Sequence, residues 1–469
     1  MRRLDPIKLS FAASGTATGV ISNGVSYFLL IYYSQVLGLN PEWAGLAMMI
    51  ALLVDAVSDP LVGRWSDRLQ SRWGRRHPFL FVCVLPVGLV YFALWHPPEL
   101  GQLGLFVYLL VFIVLLRLST TLHSVPFNAL LPELTDDYDR RTSLMNWSYS
   151  AAWFFGTLIA VVMYAYWLAD DPGSAPGSGA LRREGYAEAG WVTAAIASLA
   201  MGYAAWRTWG YRNHLHAPAP AAETMSQFWR QAWVTLNDRN FLVLALSGLF
   251  SAIASGTSTA LWAYMQPYFW GFDSEQTSAL LFSQLFSPVL AFVLLPWVSR
   301  GRDKRQVMIT LSAASLVVGS GPVLAWLMGW FPADPELTYT IVLLAGVCQV
   351  MLIVMTGVVF ASMLADLVEA RALVTGRREE GLLLSVVSFV SKVATGAGVW
   401  VGGLILAIID FPSNTLSSAV ADQIAFDLGL WYGPVLAVFY LLAIVALLAF
   451  RLDRIAHEAN IAALNAAKE

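Results

Sequence analysis

Apolar runs of about 20 residues recur along this chain, and about 20 helical residues are what it takes to cross a hydrocarbon core some 30 Å thick. We place twelve of them, at roughly 10–35, 42–64, 78–97, 103–127, 147–168, 189–210, 240–266, 276–298, 306–330, 338–365, 382–408 and 429–451. Inside a bilayer each backbone N–H and C=O must be satisfied within the segment, so every run reads as a helix. The expected fold class is therefore an all-α membrane protein of twelve transmembrane helices. Only 13% of the 469 residues are charged, where a soluble domain carries about 25%. The first run is too long and too polar for a cleavable signal peptide.

The basic residues test this count. With the N-terminus inside, the inside segments hold 24 of the 28 Lys and Arg, among them Arg64, Arg68, Arg72, Arg75 and Arg76 in one loop. The outside loops hold only Arg182 and Arg183, and Arg117 and Lys392 fall within spans. Positive charge collects on the cytoplasmic side, so the bias predicts an even number of spans and cytoplasmic termini. Basic residues scattered over many loops give no case for nucleic-acid binding. Cys83 and Cys348 fall in opposite halves, which reads as two buried apolar residues rather than a disulfide or a metal site.

The spans group as six and six. Residues 1–210 form the first half, 211–239 a cytoplasmic linker, 240–451 the second half and 452–469 a cytoplasmic tail. The linker contains an extended Ala/Pro stretch from Ala217 and then Phe228-Trp-Arg-Gln-Ala-Trp, which reads as an amphipathic interfacial helix. Gly396-Ala-Gly398 through Gly403 lies in an apolar span and follows no strand, so it reads as close helix packing and not as a nucleotide loop.

Two acids stand out in this setting. Asp55 and Asp59 lie four residues apart in the second span and share one helix face. A carboxylate near the bilayer centre costs about 2.5–3.5 kcal/mol on insertion scales, and two on one face also repel. Such a pair makes sense where a cation visits it. The competing reading is a static ion pair with Arg117 of the fourth span. Arg117 itself leaves three readings open: it neutralises Asp55 structurally, it is displaced by an arriving cation, or it grips an anionic group of a solute. Lys392 also needs a partner at its depth, in a charge link or cavity, or else it snorkels.

The loop after the second span, Gly63-Arg-Trp-Ser-Asp67-Arg68 through Gly74-Arg75-Arg76, puts an acid among arginines at a helix mouth. Gly63, Asp67, Arg68, Arg75 and Arg76 are expected to form an inner gate, because charge bias alone requires neither the glycine nor the aspartate. Ser299 to Arg305 is a weaker echo in the second half.

Two six-helix halves with this loop resemble the major facilitator superfamily. Lys8-Leu-Ser, Asp55-Ala-Val-Ser-Asp59-Pro, Val125-Pro126-Phe127, and Glu380 with Lys392 resemble, over the whole chain, the glycoside-pentoside-hexuronide:cation symporter family (melibiose permease-like), to which the sodium-coupled lysophospholipid transporter is related. The resemblance implies a cation site at Asp55, Asp59 and Thr121. Ser58 stands where sugar-transporting members have an asparagine, so Na+ remains feasible, and the mutual repulsion of the two acids also suits one shared proton. Charged sugar clamps of the family are absent, with Thr18, Gly19, Ser124, Asn128, Ser148 and Tyr149 in those places. The expected solute-binding groups are Asn23, Tyr27, His123, Ser124, Asn128, Tyr149, Trp153, Trp262 and Gln266. A lone histidine such as His123 is more often a hydrogen-bonded interior residue than a proton relay.

These features point to a symporter of the inner membrane that moves a glycoside or similar polar organic solute with Na+ or H+. An amphipathic, lysolipid-like solute is the alternative. The expected partners are a small-molecule solute, a monovalent cation and the lipid bilayer, with no cofactor beyond the coupling ion and a monomeric chain. A membrane enzyme finds no support in a nucleophile–base pairing or a His-Glu-x-x-His motif, and a non-transporting sensor leaves the paired acids unexplained.

Overall fold

The computed structural model describes residues 5–211, 238–375, 380–420 and 422–451. The expected amphipathic linker helix and the tail lie outside the described residues. Among the described residues eleven helices are long and apolar enough to cross a membrane: α2 (Pro41–Arg68), α3 (His77–Leu94), α4 (Gln102–Leu134), α5 (Asp139–Trp167), α6 (Arg183–Tyr211), α7 (Arg239–Phe269), α8 (Ser274–Ser299), α9 (Lys304–Leu327), α10 (Pro335–Arg371), α11 (Leu383–Ile408) and α12 (Asp422–Leu448). The twelfth, α1, starts as a regular helix at Pro6–Asn23 and continues through π-turns at Gly24–Phe28 and Tyr32–Val36. Each expected span thus has its helix, all twelve of them.

Local chemistry sets the helix starts. Asp5 caps α1 by accepting from the Ile7 N–H at 3.0 Å, and Asn40 caps α2 by accepting from Glu42 at 2.9 Å. Pro6 and Pro41 follow these caps, at positions where a missing N–H costs nothing. Two ends can be told apart. The basic end carries the Gly63–Arg76 loop, and the far end lies opposite. The π-turns of α1 and those at Met163–Trp167 in α5 and Met265–Phe269 in α7 all fall at the far end. Each inserts an extra residue into the helical repeat, as happens most often near functional sites.

The helices cluster into two compact units that cut across the six-plus-six order. The first holds α1 to α6 together with Thr259–Leu285 and Val399–Ala425, which are far-end portions of α7, α8 and α11 and the start of α12. The second comprises the stretch ending at Ser258, Phe286–Gly398 and the chain from Phe426.

In the first unit α1 and α5 cross at backbone contact. A Cβ on Gly15 would collide with the Ser148 carbonyl, and one on Gly19 with that of Ala152. Membrane helices have little hydrophobic drive to associate, so small residues that permit close dispersion contact are used instead. The far end of this unit is closed by polar contacts. Ser34 of α1 shares a short hydrogen bond with Tyr264 of α7, the Asn414 N–H donates to the Gln35 carbonyl at 2.9 Å, and Ser278 of α8 donates to the Val161 carbonyl at 3.2 Å. In the second unit Lys304 Nζ reaches both oxygens of Asp366 at 2.8 Å, so the Ser299–Arg305 echo does build an ion pair. Cys83 and Cys348 are free thiols.

A candidate cation site on the second and fourth helices

Asp55 and Asp59 face α4 from adjacent turns of α2. Asp55 is buried and Asp59 half-buried. Thr121 of α4 reaches both: its hydroxyl donates to Asp55 Oδ1 at 2.6 Å and lies 3.4 Å from Asp59 Oδ1. Pro60 follows Asp59 inside the helix and has no N–H to give, so the Ala56 carbonyl one turn back lacks its usual partner. The Ser58 hydroxyl donates to the Asp55 carbonyl at 3.1 Å. Its lone pairs stay available, but it is held against its own helix. The result is a cluster of oxygens, two of them carboxylates, in a largely apolar bundle. That donor set suits a small hard cation or a proton.

Arg117 sits one turn from Thr121 on α4, half-buried, and interacts electrostatically with Asp55. Its buried Nε has no hydrogen-bond partner. The attraction of Arg117 is to Asp55, without an ion pair among the described residues, and Thr121 donates the hydrogen bond to Asp55.

At the basic end Arg76 is the hub. It is 6% exposed, pairs with Asp67 at 2.7 Å and with Glu133 at 3.2 Å, and donates to the Ser66 hydroxyl at 2.7 Å. Arg75 pairs with the same Glu133 oxygen at 3.1 Å. The structure thus gathers three of the five expected gate residues, Asp67, Arg75 and Arg76. Arg68 is exposed and makes no ion pair among the described residues. Gly63 contributes its carbonyl to Ser66, and a Cβ there would meet only Val125 at 3.6 Å, so crowding is not what places a glycine here. The sequence reading missed Glu133. The available signal was its position six residues beyond Phe127, in Leu-Pro-Glu at the basic end of α4.

The expected solute-binding residues separate into groups. Asn128, Tyr149 and Trp153 are exposed on α4 and α5, and Ser124 is half-buried. Tyr27 of α1 packs edge-on against Trp262 at 5.4 Å between ring centres, with Tyr164 6.0 Å from Trp262, which makes an aromatic cluster at the far end. Asn23 abuts Gly156 of α5. Two of the expected residues are buried. His123 is 0% exposed and stacked on Phe127 at 5.5 Å, and neither of its ring nitrogens has a hydrogen-bond partner. Gln266 is 5% exposed within the α7 π-turn, with only a 3.4 Å contact from its amide to the Trp262 carbonyl. Lys392 is half-buried on α11 in the second unit.

Comparison with known proteins adds to this geometry. The profile of the family described as "MFS/sugar transport protein" matches residues 10–454. The chain belongs to that family. It is similar to the isoprimeverose transporter of Lactiplantibacillus pentosus, with 24% identity over 96% of this chain and 89% of the relative. It is also similar to the sodium-dependent lysophosphatidylcholine symporter 1-A of Danio rerio, with 30% identity over 33% of this chain and 29% of the relative. Among solved structures, the xylose transporter XylE from E. coli in a partially occluded inward-open conformation superposes with a TM-score of 0.60 at 14% identity, over 94% of this chain and 97% of that one. The fold is thus the major facilitator fold, and the protein is a multi-pass membrane transporter of that type.

Proposed function

We propose that the chain is a secondary active symporter that moves a glycoside or similar polar organic solute with Na+ or H+ by alternating access. One observation carries this reading: a single hydroxyl, Thr121, links two carboxylates on the neighbouring helix at 2.6 and 3.4 Å. Vacant of a cation, the pair leaves negative charge in a low-dielectric interior. A cation removes that charge and draws α2 and α4 together, and Arg117 covers Asp55 when no cation is present. The half-loaded carrier is the disfavoured state, and its scarcity couples the two fluxes.

The bias of basic residues, 24 against 2, supports an inner-membrane orientation with both termini cytoplasmic. On that orientation the Arg76 cluster is the inner gate and the far end is extracellular. A second reading, transport of an amphipathic lipid-like solute, draws on the lysophosphatidylcholine symporter relative and on the exposed aromatic run Tyr149, Trp153 and Phe154.

The test is uptake by the purified protein in proteoliposomes under imposed Na+ or H+ gradients, with a panel of labelled methyl glycosides and lysolipids. Gradient-dependent accumulation of a glycoside supports the first reading, and of a lysolipid the second. Equilibration without accumulation under either gradient contradicts symport.

A further inference from the structure

In the first unit α3 and α6 pack closely. A Cβ on Gly88 of α3 would collide with Ser198 of α6, and one on Gly202 of α6 would touch Val84 at 3.5 Å. At the basic end this seam finishes in a cluster of rings. Trp209 of α6 lies 6.0 Å from Trp73, 5.4 Å from His77 and 5.3 Å from Phe81, centre to centre. The cluster fastens the Gly63–Arg76 loop, through Trp73, to the end of α6.

The same contact brings two arginines to one rim. Arg72 immediately precedes Trp73 and is exposed. Arg207 stands two residues before Trp209, half-buried, with its guanidinium carbon 5.5 Å from the centre of the Trp206 ring. Neither arginine makes an ion pair among the described residues. The elements that build the rim offer them no acid: from Arg68 to Leu94 and from Ala189 to Tyr211 the sequence holds no Asp or Glu. Asp67 and Glu133 already pair with Arg75 and Arg76.

Away from the rim the two helices turn an open apolar surface outward. Val82, Leu85 and Leu89 of α3 and Leu199 of α6 are each at least 65% exposed. Trp73 and Trp206 are exposed beside the arginines, as indole rings at headgroup depth are.

These features together select the partner. A soluble anion would engage the arginines and leave the apolar strip without a role. A zwitterionic phospholipid brings its own ammonium group, so the positive charge of the rim stays uncorrected. An anionic phospholipid satisfies both parts: its phosphate oxygens suit the planar guanidinium fork, and its acyl chains lie on the strip. Basic pockets between helices at this level of a membrane protein hold such headgroups.

We propose that the basic end of the α3–α6 seam is a discrete site for one anionic phospholipid, held by its headgroup at Arg72 and Arg207. A lipid seated there ties the loop that carries Arg75 and Arg76 to α6. The site shares no residue with the cation site, and its test reads binding and not transport.

The test uses the purified, delipidated full chain in detergent. Dioleoylphosphatidylglycerol is the probe, dioleoylphosphatidylcholine the zwitterionic control and inorganic phosphate the soluble anion, each read by thermal shift and by native mass spectrometry. The expected result is a saturable rise in Tm and a retained lipid with phosphatidylglycerol alone. Arg72→Gln with Arg207→Gln should weaken the apparent affinity about thirtyfold, as the loss of two basic residues near an anionic headgroup does. Arg140→Gln with Arg141→Gln removes two arginines that are paired with Asp5 and Asp136, and should leave the affinity unchanged. Arg72→Lys with Arg207→Lys keeps the charge and should keep most of the binding, which separates lost contact from misfolding. An equal rise with phosphatidylcholine or with phosphate, equal weakening by the two glutamine pairs, or no saturable rise overturns the proposal.

Discussion

Asp170 and Ser274 are joined twice. The Asp170 N–H donates to Ser274 Oγ at 2.8 Å, and the Ser274 N–H donates back to Asp170 Oδ2 at 2.9 Å. The same carboxylate accepts from the Gly177 and Gly179 N–H groups at 3.0 and 2.7 Å. Gly177 has φ +74°, a left-handed conformation that lets its N–H converge on the acid. One side chain therefore fastens the α5–α6 loop to the first turn of α8, where a negative charge is favoured by the helix N-terminus.

Asp170→Ala should loosen the far end. A hydrogen bond to a charged acceptor contributes about 1.5–3 kcal/mol when buried, and less here because Asp170 is half-buried. Labelling of a cysteine at Ser278 by a membrane-impermeant maleimide added at the far end should rise several-fold, and Asp170→Asn should give a smaller rise. Equal labelling in all three proteins rules out the latch.

Glu133 anchors two arginines, so its loss should exceed the loss of Arg75 alone. Glu133→Gln leaves buried Arg76 short of a charge and should cost about 3 kcal/mol, by analogy with other broken buried pairs. Arg75→Gln should cost less, because Glu133 keeps its pair with Arg76. Both are read as shifts in thermal unfolding, and the reverse order contradicts the hub geometry.

Asp67→Ala removes the exposed arm of the same cluster. On the proposed orientation it should favour the state open at the basic end and raise labelling of a cysteine placed at Asn128 from that side. Unchanged labelling would leave the loop as charge bias alone.

How much of this was legible beforehand depends on range. The twelve helices follow from bilayer thickness and run length, and the observed ends differ most where α5 reaches back to Asp139, α4 runs on to Leu134 and α12 starts at Asp422. The pairing of Asp55 with Asp59 was legible because a four-residue spacing fixes a helix face. Glu133 and Asp170 were not, since each gains its role from partners 57 and 104 residues away. The stacking of His123 on Phe127 was not legible either, because a helical wheel does not say which neighbour fills a face. The π-turns that rotate Tyr27 and Gln266 leave no mark in an apolar sequence.

Arg117 should couple energetically to Asp55. Arg117→Leu leaves the acids without their cation, so transport should fail. The double change Arg117→Leu with Asp55→Asn should destabilise less than the sum of the singles, by about 1–3 kcal/mol, as contacting residues do. Additivity in a thermal-stability cycle would separate the pair and favour a solute-anchoring Arg117.

The most direct measurement compares wild type with Asp59→Asn in proteoliposomes, reading both gradient-driven accumulation and solute exchange at equilibrium. If Asp59 completes the coupling site with Asp55 and Thr121, the variant should lose accumulation while keeping a measurable part of exchange. A variant that still concentrates solute against its gradient would show that Asp59 is not the coupling acid.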